Sequence, residues 1–264
     1  MWFHTVPLII LSHKGLIIMA ENDQMSLVDH LDELRRRIIY AVAAILIATL
    51  AAFIFSDTLL KVILLPSGGL QLNAFSIMDG FMIKWRVSLI AGIAVAFPVW
   101  AYEIYSFIKP GLFEHEQRAI FPVLAGSMVL FLLGVAFGYY LLGSMIRVMK
   151  TFFPPEVTFL PAADDFISFV IFFLLACGIA FQLPSLLTIL VRLRILNSTI
   201  LRKQRRIAYF ILFVLAELIT PVSAPIVAPL TVMIPMIVLY EVSILEARRI
   251  EAGRAKKEKN ITPA

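Results

Sequence analysis

Six apolar runs, at residues 38–55, 87–108, 119–142, 166–191, 207–220 and 226–244, occupy most of this chain and leave little room for anything but membrane-crossing helices. In hydrocarbon a backbone must satisfy its own polar groups, and a helix of about 20 apolar residues does so while crossing the core. Composition agrees, since 61% of the 264 residues are hydrophobic and only 16% charged. The mean hydropathy of +0.92 lies well outside the range of soluble domains. The expected fold class is an all-α polytopic membrane protein with six transmembrane helices. The net charge of +5 does not point to nucleic acid, because the basic residues flank apolar runs and have no aromatic-rich soluble platform beside them.

Charge sets a direction for the chain. The segments before the first run, between the second and third, between the fourth and fifth, and after the sixth collect most of the basic residues, from Arg35 to Lys259. The alternate loops hold only Lys61, Lys84, Arg86, Arg147 and Lys150. By the positive-inside rule both termini are then cytoplasmic. The expected division is an N-terminal extension at 1–25, a six-helix transmembrane domain at 26–249 and a basic cytoplasmic tail at 250–264. The first 18 residues are apolar, but they lack a basic start and are interrupted by Pro7, His13 and Lys14, so they count neither as a signal sequence nor as a span. Met19 and Met25 leave two readings of this segment, an upstream start codon or an interfacial arm.

The fifth run has about 14 residues, roughly 21 Å of helix against a hydrocarbon core of about 30 Å. Pro229 and Pro235 interrupt the sixth, so the last two helices are both expected to be short and to thin the membrane beside them. Pro98 and Pro184 remove backbone donors inside the second and fourth runs and should bend both helices. Bent helices make a concave wall, so the bundle is expected to be cupped.

Few residues offer chemistry. Cys177 lies in an apolar run and reads as a small packing residue. His4, His13, His30 and His115 lack metal-site spacing, and no cofactor is expected. No nucleotide-binding loop, HExxH or GxSxG motif is present, which argues against an enzyme. Inside the membrane Glu103, Gln182 and Glu217 are costly unless they face protein or water. Glu103 sits close enough to its helix end to snorkel, and Gln182 suits either helix-to-helix bonding or contact with a guest helix. Asp164 and Asp165 precede the fourth run, where solvation at the interface is the default reading.

The segment HLDELRRR, residues 30–37, carries more than orientation. Ser26 and Asp29 have capping-box spacing, so a helix should begin there and continue into the first run. On it Glu33 stands one turn before Arg37, an i, i+4 ion pair. Three acids, Asp29, Asp32 and Glu33, cancel the three arginines, and KPGLFEHEQR sets Glu114 and Glu116 against Lys109 and Arg118. The segment between the fourth and fifth runs holds six basic residues and no acid. Orientation therefore rests on the C-terminal half, and the N-terminal half is free to present carboxylates. Such groups suit a guanidinium, which meets a carboxylate with two parallel hydrogen bonds.

With these motifs the chain resembles the TatC family of twin-arginine protein translocases over about residues 26–249. The likeness lies in HLDELRRR, FIKPGLFEHEQR, GVAFGYY at 134–140, CGIAFQLP, LITP at 218–221 and IPMIVLYE at 234–241. It implies a receptor in the inner (cytoplasmic) cell membrane that binds twin-arginine signal peptides of folded cargo. It further implies recruitment of TatA and TatB single-span subunits, self-association in a receptor complex and export driven by the proton-motive force. The carboxylates matching Glu33 and Glu116 are those tied to the arginine pair, with His30, Leu34, Arg35, Phe107, Pro110, Gly111 and Leu112 around them. Gln182 matches a membrane-embedded Glu or Gln on a concave face, and Glu103, Glu217, Tyr139 and Pro221 complete the expected contacts with a signal or partner helix. The family's acid after the Thr-Pro is missing here, where PVSAP supplies Ser223, and Glu217 is the candidate replacement. The alternative from another class is a proton-coupled transporter of a small solute using Glu103, Gln182 and Glu217.

Overall fold

The computed structural model describes residues 27–111, 117, 120–154, 156, 158, 160–220 and 227–261. Among them are ten α-helices and no strand: α1 (Leu27–Ile54), α2 (Ser56–Leu64), α3 (Asp79–Val95), α4 (Phe97–Ile108), α5 (Ile120–Lys150), α6 (Ala163–Ala180), α7 (Leu183–Arg192), α8 (Ser198–Lys203), α9 (Arg205–Ile219) and α10 (Val227–Ile261). Four stretches, Asp29–Ile54, Phe121–Lys150, Ala163–Arg192 and Pro229–Arg254, are each long and apolar enough to cross a membrane. Helices α3 and α4 together make a fifth, bent by 50°. The fifth expected span is α9, whose 15 residues reach only about 22 Å and do not cross by length alone.

The prolines act differently in different places. Pro98 and Pro184 both fall in the first turn of a new helix, α4 and α7, so each breaks its run as expected. The second break is mild enough that α6 and α7 still form one span of 30 residues. The sixth run departs from expectation, because α10 is not short but a continuous helix of 35 residues. Pro229 occupies its first turn, where no intrahelical donor is needed, and Pro235 alone lies inside. After residue 244 the chain is rich in Ala, Glu, Arg and Lys, all strong helix formers, and the helix runs on.

Large apolar side chains face outward along α1, including Ile47 and Ile54, and along α9, including Phe210 and Leu218. Lipid is the natural solvent for such a surface, and with five apolar crossings the protein is a multi-pass membrane protein. The interior is built by close helix contact. A Cβ added at Gly92 on α3 would lie 2.6 Å from the backbone nitrogen of Thr49, so α1 and α3 touch through their main chains. Between α5 and α6 the same role falls to Gly134, Gly138 and Gly178, packed on Cys177, Phe181 and Phe131. Small residues at such crossings are the usual means of bringing helices together in lipid. Cys177 is buried there, as expected of a packing residue.

Polar clamps close both ends. At the end where α3 and α6 begin, Arg86 donates to Asp164 and to Ser168 Oγ, both at 2.6 Å, and Lys84 meets Asp57 at 2.7 Å. Asp164 is thus a cross-helix partner and not simply solvated. Asn73 takes the place of a strand neighbour, its N–H on the Pro161 carbonyl at 3.1 Å and its carbonyl accepting from Ala163 N–H at 2.8 Å. At the arginine-rich end, Glu251 of α10 accepts from the Ser198 N–H at 2.7 Å and from its hydroxyl. Arg254 donates to the carbonyls of Val191 at 3.1 Å and Arg192 at 2.7 Å, closing the C-terminus of α7. Arg205 and Tyr209 of α9 both donate to Glu241.

Candidate functional site

Helix periodicity brings His30, Glu33 and Arg37 to one face of α1, and Glu103 and Phe107 to one face of α4. The two faces meet at the arginine-rich end. The His30 ring stacks on Phe107 with centroids 4.3 Å apart. Arg37 donates from Nε at 3.0 Å and Nη2 at 2.8 Å to Glu33 Oε1, and from Nη1 at 2.8 Å to Glu103 Oε2. The Glu33 and Glu103 side chains are each only 14% exposed, and Arg37 is 25% exposed. A single guanidinium therefore holds two carboxylates in partly desolvated surroundings, where charge-assisted bonds are stronger than in water.

The expected ion pair of Glu33 with Arg37 is present, and its second half was missed. Glu103 does not snorkel but pairs with Arg37 across 66 positions of sequence. Two signals pointed that way: a lone acid inside an apolar run needs a partner, and Arg37 is the last arginine before the first run. Leu34 is half-buried beside this cluster, while Arg35 is exposed and, with Asp29, Asp32, Glu33, Arg36 and Tyr40, lines a depression on α1. Pro110 is exposed, and Gly111 ends a short 3-10 turn after α4. Leu112 and Glu116 lie outside the described residues, as does Pro221.

The bend between α3 and α4 and the break between α6 and α7 shape a concave apolar groove of about 550 Å³, walled by α4, α6, α7 and α9. Gln182 sits at the α6–α7 break and lines this groove. Its Nε2 donates to the Ser127 carbonyl of α5 at 3.0 Å, so the side chain bonds helix to helix and still borders the cavity. At the other break Trp100 donates from Nε1 to the Ile93 carbonyl at 3.0 Å, joining the two arms of the bend.

Two other expected contacts stand apart from the groove. The Tyr139 hydroxyl donates to the Val62 carbonyl at 2.9 Å, tying α5 to α2. Glu217 is exposed on α9, on the outward face that also carries Phe210, Val214 and Leu218. No cluster of three or more His, Cys, Asp or Glu side chains able to hold a metal occurs among the described residues.

Comparison with known proteins places this architecture. The family model described as Sec-independent protein translocase protein (TatC) matches residues 29–235. The Sec-independent protein translocase protein TatC of Deinococcus radiodurans is 34% identical over 231 residues, covering 84% of this chain and 85% of that protein. TatCy of Bacillus subtilis is 32% identical over 227 residues, covering 84% and 89%. A crystal structure of the twin arginine translocase receptor TatC in DDM superposes with a TM-score of 0.74 at 31% identity, covering 83% of this chain and 99% of the other.

Proposed function

We propose, for a chain that belongs to the TatC family of Sec-independent protein translocase proteins and is not an enzyme, that it is the receptor for signal peptides bearing paired arginines. The observation that carries this reading is the meeting of Glu33 and Glu103 on one guanidinium at a partly buried rim. A rim that already holds one arginine has the charge, depth and planar geometry to hold another. Glu33 receives one arginine of the signal and Glu116 the second, with His30, Leu34, Arg35, Phe107, Pro110, Gly111 and Leu112 shaping the approach. Each charge-assisted bond contributes about 1.5 to 3 kcal/mol where it is desolvated and under about 1 where it is exposed. Glu33 is 14% exposed but already bonded to Arg37, so an arriving arginine gains there only what it adds over the resident one. Lysine is a poor replacement, because an ammonium lacks the fork that bonds both carboxylate oxygens.

The apolar part of the signal lies in the groove beside Gln182. TatA and TatB single-span subunits pack against the outward face of α9, where Glu217 stands in for the acid missing after Pro221, and Tyr139, which ties α5 to α2, offers a separate contact for a partner helix. Six spans, both termini in the cytoplasm and the proton-motive force as energy source complete the reading. The transporter alternative draws little support, since Glu103 is bonded to Arg37 and Glu217 faces away from the groove.

The test is binding and export of a folded reporter. Replacing Glu33 and Glu116 together by Ala should lower affinity for an RR signal at least tenfold and bring it to the level of a KK signal. Unchanged binding in that double variant would sink the assignment.

A further inference from the structure

Arg37 is bonded unevenly to its two carboxylates. Both of its bonds to Glu33, from Nε at 3.0 Å and Nη2 at 2.8 Å, fall on the single oxygen Oε1. A guanidinium that meets a carboxylate edge to edge spreads two parallel bonds over both oxygens, which is the stronger arrangement. The bond from Nη1, at 2.8 Å, goes instead to Glu103 Oε2 on α4. A guanidinium stretched between two carboxylates in this way sits squarely on neither.

Glu33 is reached from two sides. On one it faces Arg37, and on the other it lines the depression on α1 together with Asp29, Asp32, Arg35, Arg36 and Tyr40. Arg37 is not among the walls of that depression, so an external guanidinium entering there comes to Glu33 without passing the resident one. When such a group takes Glu33, Arg37 still has Glu103. Its side chain, only 25% exposed, therefore keeps a counter-ion, and the costly outcome of a partly buried charge left alone is avoided. The His30 ring stacked on Phe107, with centroids 4.3 Å apart, joins α1 to α4 beside the cluster and holds the helices together whichever carboxylate Arg37 favours.

We infer that Arg37 is a resident competitor for the arginine site and that Glu103 is the positioning residue that lets it yield: the arriving guanidinium takes Glu33, and Arg37 withdraws to Glu103. The inference rests on the reading of Glu33 as receptor for one signal arginine, and it gives neither Arg37 nor Glu103 a contact with the signal. The resident sets a threshold for entry. A peptide with a single arginine gains too little at Glu33 to displace it, and the second arginine of a pair, held elsewhere, supplies the difference. Selectivity for a pair then comes in part from inside the protein.

The experiment is fluorescence anisotropy of a labelled RR signal peptide on the purified full-length protein in lipid nanodiscs, with the melting temperature of each variant recorded alongside. Arg37→Gln should bind RR about tenfold more tightly, and should bind a peptide with one arginine of the pair replaced by Gln about as well as wild type binds RR. Arg37→Lys, which keeps the charge but not the fork, should tighten RR binding about threefold. Glu103→Gln should weaken it about tenfold, because the carboxylate to which Arg37 withdraws is gone. Arg37→Gln and Glu103→Gln break the same bond and both lower the melting temperature, so a merely structural role moves binding the same way in both. Opposite signs are the signature of a competitor. In the double variant, Arg37→Gln with Glu103→Gln, binding should return to the wild-type level or above. A double variant as weak as Glu103→Gln alone would overturn the proposal and put Glu103 in direct contact with the signal. Weaker or unchanged binding in both Arg37→Gln and Arg37→Lys would overturn it too, with the receptor reading left standing if Glu33→Ala still loses the peptide. Binding indifferent to Glu33→Ala would sink both.

Discussion

Arg37 is bonded to two glutamates that are themselves mostly buried, and removing it changes more than one bond. Arg37→Ala leaves Glu33 and Glu103 as like charges facing each other without a counter-ion, and should destabilise the protein by about 2 kcal/mol. Thermal unfolding in detergent checks this. Adding Glu103→Gln to the same variant should recover part of the loss, because one of the two stranded charges is then gone. A fully additive loss in the double variant would show that the carboxylates do not sense each other. Arg37 also bears on recognition, since an external guanidinium that reaches Glu33 meets a carboxylate already bonded. Binding there is an exchange, in which the incoming arginine gains only its advantage over the resident one. The sequence made Glu33 and its i, i+4 pairing with Arg37 legible, because helical spacing is local. It did not make Glu103 legible as the third member, because a contact across 66 positions is decided by which faces of α1 and α4 pack.

At the scale of the helix, the crossings rest on absent side chains. Gly92→Val would drive a Cβ into the main chain of Thr49, where no flexible group can move aside. The α1–α3 crossing should open, at a cost of about 1 to 3 kcal/mol or more. Loss of the monodisperse peak in fluorescence size-exclusion chromatography, or a lowered melting temperature, is the readout. Gly80→Val, at a position with open space around it, is the matched control and should be neutral in packing. Helix existence was readable from the apolar runs, and so were the breaks at Pro98 and Pro184. The length of α10 was not, because Pro229 was read as an interruption when it falls in a first turn. A proline is harmless or disruptive according to where the helix starts, and α10 starts within a segment with no apolar boundary to mark it.

The whole molecule is fastened at its arginine-rich end by the part of α10 that lies beyond the apolar stretch. Glu251 and Arg254 hold the ends of α8 and α7 by bonds to backbone groups, and nothing in the apolar pattern predicts either. Glu251→Ala with Arg254→Ala should leave the spans in place and loosen the connection at 192–203. Hydrogen exchange at the Ser198 amide should rise about tenfold, as expected when a charge-assisted bond is lost. Exchange within α6 should stay as it is. The same helix has a mechanical side. Its 35 residues make a rod of about 52 Å, well beyond a hydrocarbon core of about 30 Å. With about 30 Å of it between the bilayer midplane and its tip, a tilt of about 10° carries that tip some 5 Å sideways. A slight change in how the spans cross is thereby magnified into a displacement outside the membrane, about 10 to 15 Å beyond the points where Glu251 and Arg254 grip the neighbouring helices.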